Sequence, residues 1–201
     1  MRGVYRKKGT KTDAIKPCYV KPSPKLRTNV GTKGVLKMGG VGGGEVLVWE
    51  TIDDKWCGDK AFDMYQNVVF PALKKKYPGR STFTLLEDND PTGNQSKKGK
   101  LAKRDGKMNV LAIPKRSPDL NVLDYNIWST VEKLLRKQEK TMRADKCETR
   151  TGFIRRLDRT AFKLPKDLID DAIASLHNRC QLLLKAKGGL FVEGGRKRRP
   201  L

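Results

Sequence analysis

Between residues 34 and 140 the apolar residues change period several times, and this switching limits the fold more than any other feature of the chain. "GVLKMGG" (34–40) and "EVLVWETI" (45–52) are apolar runs around the glycine-rich turn "VGGG", a pattern that predicts a β-hairpin. The second run is apolar at nearly every position, as in a strand covered on both faces. From Asp59 to Tyr77 the spacing becomes helical, with Ala61, Met64, Tyr65, Val68, Val69 and Leu73 on one side. Pro71 is expected to kink or break that helix. "STFTLLE" (81–87) predicts a strand, 96–104 a short helix, and "MNVLAI" (108–113) a further strand closed by Pro114. "VLDYNIWSTVEKLLRKQEK" is an amphipathic helix with Leu123, Ile127, Val131, Leu134 and Leu135 on its apolar face. Two more helices are expected over 146–162 and 165–186. Hairpin, helix, strand, helix, strand, helix is the order of an α/β domain, a mixed sheet with helices packed on it.

Charge sets the second limit. Lys and Arg outnumber Asp and Glu by 44 to 22 in 201 residues, a net charge of +22. Residues 1–37 hold eleven basic residues and the single acid Asp13, and residues 91–116 hold eight and the single acid Asp105. The chain ends "GGRKRRPL". Self-repulsion of this size is relieved by a polyanion, because each phosphate contact releases counterions. A nucleic-acid partner is therefore expected, against the plainer alternative of a solvated surface with basic tails. "GRKRRP" also has the form of a nuclear import signal, so a nuclear location is expected.

Other chemistries are poorly served. Cys18, Cys57, Cys147 and Cys180 form no close pair, so neither a zinc finger nor a disulfide framework is indicated. His177 is the only histidine and sits in an amphipathic helical pattern, which suits a helix-surface or packing role. No apolar run reaches membrane-spanning length and no signal-peptide core is visible, so no membrane partner is expected and the chain reads as soluble and intracellular. Trp49 and Trp128 fall within apolar patterns and are expected in the core, while Trp56 in "DDKWCGDK" reads as the more exposed of the three, without the sequence deciding it. Asp53, Asp54 and Asp59 read as loop and helix N-terminus.

The densest acid cluster closes the 81–87 strand: Glu87, Asp88 and Asp90 lie within four positions. Sites in α/β sheets form at the carboxyl ends of strands. Asp88 lies at such an end, and Asp124 lies in the first turn of the helix after the next strand, 35 intervening residues away. If the strands are neighbours, both carboxylates reach one point and offer hard oxygen ligands to a divalent cation. Plainer readings stand beside this one. "EDNDPTG" is good turn chemistry, and Asn121 as N-cap with Asp124 at N3 suits a helix start. Composition and spacing alone favour the plainer readings.

The sequence around the acids is more specific. "LLEDNDPTGNQSKKG" followed by "VLAIPKRSPDLNVLDYNIW" resembles the catalytic region of mariner-like transposases: a strand ending in Asp-Asn-x-Pro, then a strand, Pro, Ser-Pro-Asp-Leu-Asn, and an acid followed by an aromatic. "EVLVWETI" resembles the strand preceding their first core helix, and the likeness covers about residues 34–140. It implies a DDE/DDD endonuclease with an RNase H-like fold, DNA as partner and Mg2+ or Mn2+ as cofactor. By position Asp88 would be the second catalytic acid and metal ligand and Asp124 the third, with Glu87 and Asp90 as flanking strand and turn residues. Lys97, Lys98, Lys100, Lys103, Arg104, Lys115 and Arg116 would grip phosphates, and a homodimer is compatible with the likeness.

This chain departs from the pattern in three places. Gly93 stands where many relatives have histidine, and Val122 where they have proline. The first acid, which should end an apolar strand upstream of the hairpin, has no match: Asp13 in "GTKTDAIKP" follows no hydrophobic run. The expectation is therefore a chain beginning just past its own first catalytic strand, with impaired chemistry. Its expected organisation is a basic arm (1–33), an RNase H-like core (34–140), C-terminal helices (141–190) and a basic tail (191–201). A non-catalytic nucleic-acid-binding protein of the same fold is the alternative. An RNA-binding protein of ribosomal type is a third class, but it would not require both acid blocks and leaves the apolar 45–52 strand unexplained.

Overall fold

The computed structural model describes residues 28–29, 36–53, 55–114, 117–141 and 148–189. Strands β2 (Leu36–Gly42) and β3 (Glu45–Ile52) pair antiparallel, Leu36 opposite Ile52 and Gly42 opposite Glu45. Their turn is Gly43–Gly44, both in the left-handed region (φ 57° and 76°), which matches the right-handed twist of the strands and is open to glycine at little cost. Strands β4 (Phe83–Glu87) and β5 (Met108–Ala112) are parallel neighbours, Phe83 opposite Met108 and Glu87 opposite Ala112. A parallel pair needs a crossover, and helix α2 (Lys97–Asp105) supplies it. The two-residue strands β1 (Thr28–Asn29) and β6 (Glu148–Thr149) form a third, parallel pair.

Helix α1 comprises Gly58–Met64, a widened π turn over Tyr65–Val69, and Phe70–Lys76. Pro71 therefore does not break it. The wide turn directly precedes the proline, which has no N–H to donate and whose ring needs room against the preceding carbonyls. Helix α3 begins in the same way, with a π turn over Leu123–Ile127 leading into Trp128–Glu139. Helices α4 (Arg150–Phe162) and α5 (Lys166–Lys185) follow.

The hairpin is covered on both faces, as its apolar run requires. Trp49 packs with Trp128, Val131 and Leu135 of α3, Phe153 and Leu157 of α4, and Ile169 and Ala172 of α5. Its neighbour Val48 points the opposite way, to Ala61, Tyr65, Val69 and Phe70 of α1, Ala102 of α2, Phe83 and Met108. The result is a mixed α/β architecture with helices on either side of short sheets. Trp49 and Trp128 pack in the core with ring centroids 4.5 Å apart. His177 is exposed on α5, 2.9 Å from the Gln181 amide. Asp53 pairs with Arg150 at 3.1 Å, and Asp59 lies in the first turn of α1.

Candidate active site

Because β4 and β5 are in register, the residues that follow them leave the sheet side by side. The Asn89 side-chain amide donates to the Ile113 carbonyl and ties the two exits together. Asp88 is the first residue past β4. From β5 the chain passes through a short 3-10 turn at Pro118–Leu120 into α3, whose opening π turn carries Asp124.

Each carboxylate is held by an asparagine. Asn94 Nδ2 donates to Asp88 Oδ1 at 2.6 Å. Asn121 Nδ2 donates to Asp124 Oδ2 at 2.9 Å, while its Oδ1 accepts from the Leu123 N–H at 3.1 Å. Asn121 thus caps α3, as its side chain is suited to do, and steers the acid one turn on. Burial raises the Asp88 carboxyl above its ordinary value and Asp90 raises it further, opposed by the Asn94 amide. Burial also raises Asp124, and the charge of Asp88 adds to it. The charge of Asp88 is thus felt at Asp124, an effect that a bound cation would offset.

The other two acids of the cluster do different work. Burial would raise Asp90, but the Gly93 N–H, the Thr92 hydroxyl and Trp56 outweigh it and hold the carboxyl below its ordinary range. It is a turn residue. Glu87 is buried and accepts from the Tyr65 hydroxyl and from the Lys103 ammonium. Lys103 also donates to the Asn94 carbonyl at 2.9 Å and stands 5.3 Å from the centre of the Tyr65 ring. Its side chain is 4% exposed. It therefore braces the loop that holds Asp88, and its ammonium is not free for a phosphate, contrary to the sequence expectation. Lys97, Lys100 and Arg104 are exposed on the outer side of α2, and exposed Lys98 pairs with Asp59. Lys115 and Arg116 lie outside the described residues.

Gly93 has a local explanation. A Cβ there would lie 2.0 Å from Trp56 Nε1, so the half-buried indole occupies the space that a side chain at 93 would need. Asn94 and the inward Lys103 escaped sequence reasoning. Lys103 had a usable signal: Gly99, Ala102 and Gly106 share its face of α2, and all three are buried. Asn94 had none, since a loop asparagine six residues after an acid has no marked partner.

Among the described residues no group of three or more His, Cys, Asp or Glu is arranged so that it could hold a metal ion. The hard oxygens on offer at this end of the sheet are those of Asp88 and Asp124, which as a pair would suit at most one divalent cation completed by water. Asp13, the only acid in residues 1–33, lies outside the described residues. No described helix is long and apolar enough to cross a membrane.

No family model matches the chain. It is similar to the Tcb1 transposase of a transposable element in Caenorhabditis briggsae, 27% identical over 158 residues, covering 73% of this chain and 54% of the relative. The Tcb2 transposase of the same organism is 28% identical over 161 residues with the same coverage. The chain thus spans about half the length of these curated relatives. In fold it matches the crystal structure of the Mos1 mariner transposase catalytic domain, with a TM-score of 0.68 at 17% identity, covering 79% of this chain and 76% of that one. The Mos1 transposase paired-end complex with left transposon end gives a TM-score of 0.68 at 19% identity, over 95% and 53%. The mariner Mos1 paired end complex with Mg gives 0.67 at 18%, over 96% and 54%. The fold is the RNase H-like fold of that catalytic domain.

Proposed function

We propose that this mariner-like transposase catalytic domain binds DNA through its basic surface and presents Asp88 and Asp124 to a phosphodiester, as part of a DDE/DDD nuclease whose cleavage is impaired in these 201 residues. What supports this most is that Asp88, just past β4, and Asp124, in the opening turn of α3, are each fixed by their own asparagine, with the charge of Asp88 felt at Asp124. Asp88 and Asp124 would hold a divalent cation, Mg2+ or Mn2+. Such an ion lowers the pKa of a water and neutralises charge at phosphorus. Asn94 and Asn121 orient the two carboxylates, and the Glu87–Lys103–Tyr65 cluster keeps the Asp88 loop in place. Two carboxylates serve one ion well and a pair of ions poorly, which is the basis for impaired cleavage.

On the DNA side, Lys97, Lys98, Lys100 and Arg104 form an exposed basic row on α2, adjoining Lys115 and Arg116 in the sequence. Lys103 is left out of this set. The paired-end complexes among the structural neighbours support DNA as partner and, with it, a homodimer. The basic tail supports a nuclear location.

The test is nicking of supercoiled plasmid in Mg2+ or Mn2+, with DNA binding measured across a salt series. Binding that weakens steeply with salt is expected for wild type and Asp88→Ala alike. Slow metal-dependent nicking is expected only where both acids are present. Nicking that persists in Asp88→Ala and Asp124→Ala refutes the site. Absence of nicking with retained binding leaves the second reading, a DNA-binding protein that keeps the fold, which the two-acid set also favours.

A further inference from the structure

Asn121 and Asp124 sit on one short segment between β5 and the body of α3, made of the 3-10 turn over Pro118–Leu120 and the π turn over Leu123–Ile127. Its backbone bonds are local. The Asn121 N–H donates to the Pro118 carbonyl at 3.2 Å, and the Asp124 and Tyr125 N–H groups donate to the Asn121 carbonyl at 2.9 and 3.0 Å. Bonds of this kind fix the shape of the turns and leave their placement to tertiary contacts. Val122 supplies one such contact, in the core that contains Trp49. Apolar packing is non-directional, so a buried valine holds the segment without setting its rotation.

Helix α5 supplies directional contacts. The Tyr125 hydroxyl donates to the Ala172 carbonyl at 2.5 Å, and the Ser175 hydroxyl donates to the same carbonyl at 2.8 Å. Arg179 lays its guanidinium 3.7 Å from the centre of the Tyr125 ring, and its Nη1 donates to the Asp119 carbonyl at 3.1 Å. Both contacts are open to one planar group, because its face stacks while its N–H donors lie in the plane. Ala172, Ser175 and Arg179 follow helical spacing and share one face of α5. A single side chain thus joins Asp119 to Tyr125, the two ends of the stretch that holds Asn121 and Asp124. The helix is itself anchored by Ile169 and Ala172 in the core that contains Trp49 of the hairpin.

We propose that Arg179 is a positioning residue for Asp124, and that α5 is the helix through which the fold sets where that carboxylate lies. The inference rests on the reading of Asp88 and Asp124 as holders of a divalent cation. Two carboxylates serve one ion only in a fixed mutual geometry, and loss of a partner that orients a ligand weakens metal binding about 10–100-fold. Arg179 acts on the acid through Tyr125 and the Asp119 carbonyl. Its half-buried guanidinium, stacked on a ring, suits this role better than a phosphate grip.

The test uses the full chain. Hydrogen–deuterium exchange without metal reads the turn, and titration with Mn2+, followed by the paramagnetic resonance of the free ion, reads the site. Arg179→Met keeps an unbranched stem and removes the cation with its donors. Exchange over residues 119–127 is expected to rise about tenfold, with Phe83–Glu87 unchanged, and Mn2+ affinity to fall about tenfold. Arg179→Lys keeps a cation over the ring and should stay within about threefold of wild type in both readings. Unchanged exchange in Arg179→Met overturns the proposal. Equal losses in the methionine and lysine variants overturn it in favour of packing alone, and faster exchange with unchanged Mn2+ affinity overturns it in favour of a purely structural clasp. A wild type that binds Mn2+ no better than Asp124→Ala removes the metal site and the proposal with it. That failure is told apart from failure of the clasp because the exchange difference persists. If Arg179→Met does not fold, Tyr125→Phe carries the test, since it deletes only the hydroxyl bonded to Ala172. Exchange over 119–127 about twofold faster supports the proposal, and unchanged exchange overturns it.

Discussion

Replacing Lys103 by methionine separates two incompatible roles for that residue. As a phosphate contact, it would lose DNA affinity and leave stability unchanged. The structure gives it the opposite character. Its side chain is 4% exposed and that of Glu87 is 8% exposed. Lys103→Met removes the cation from Glu87 and the donor from the Asn94 carbonyl, and leaves a buried carboxylate whose remaining partner among the described residues is the Tyr65 hydroxyl. Breaking one side of a buried pair costs about 3–5 kcal/mol, a large share of a domain stability of roughly 5–15 kcal/mol. With a urea slope of about 2 kcal/mol per molar, the midpoint should fall on the order of 2 M. The double variant Glu87→Gln, Lys103→Met removes the orphaned charge and should recover more than half of that loss, because the penalty lies in the uncompensated carboxylate and not in the missing attraction. Urea titration followed by tryptophan fluorescence reads both numbers. A Lys103→Met protein that unfolds with wild type while binding DNA several-fold more weakly would refute the reasoning.

Other perturbations test the remaining contacts. The Asp88 and Asp124 carboxyls are raised in the folded chain, so that state binds their protons more readily than the unfolded one. Their contribution to stability therefore falls as pH rises from the ordinary value of 3.8 through the raised values. Asp88→Asn and Asp124→Asn should melt above wild type at pH 7, with the gap closing toward acid, and thermal melts at both positions lying below wild type at pH 7 would contradict this. Millimolar Mg2+ should raise the wild-type melting temperature and leave both variants unmoved. Asn94→Ala frees the Asp88 carboxylate and should weaken Mn2+ binding about 10–100-fold by calorimetry, as loss of a ligand-orienting partner does; unchanged affinity would remove Asn94 from the site. A methyl group at Gly106 would stand 1.3 Å from Phe70 Cζ, so Gly106→Ala should cost about 1–3 kcal/mol in denaturant titration through overpacking.

The secondary elements were legible because each carried a period that its burial enforced. Val48 and Trp49 sit side by side in an unbroken apolar run, and the fold sends them into cores on opposite sides of the hairpin. The π turns were not legible, since the change from a four-residue to a five-residue hydrogen-bond step leaves no change in apolar spacing over a single turn. Lys103 was misjudged by charge counting. A lysine among lysines looks solvated, and only the small residues on its own face of α2 mark it as turned inward. The pairing of Asn94 with Asp88, six residues away, depends on a loop path that residue types alone do not mark.

The three acids of the cluster have three different surroundings. Glu87 is the last residue of β4 and meets Tyr65 and Lys103. Asp88 lies one residue past the strand, where the alternation of faces no longer binds. It accepts from Asn94, which also meets Tyr65, and its charge is felt at both Tyr65 and Asp124. Asp90, two residues on and already in the turn, folds its carboxylate back onto the Gly93 N–H at 2.7 Å. A basic chain can therefore carry three acids within four positions without three equivalent roles: Glu87 is paired with a buried lysine, Asp90 is held by turn donors, and Asp88 is bound by an asparagine.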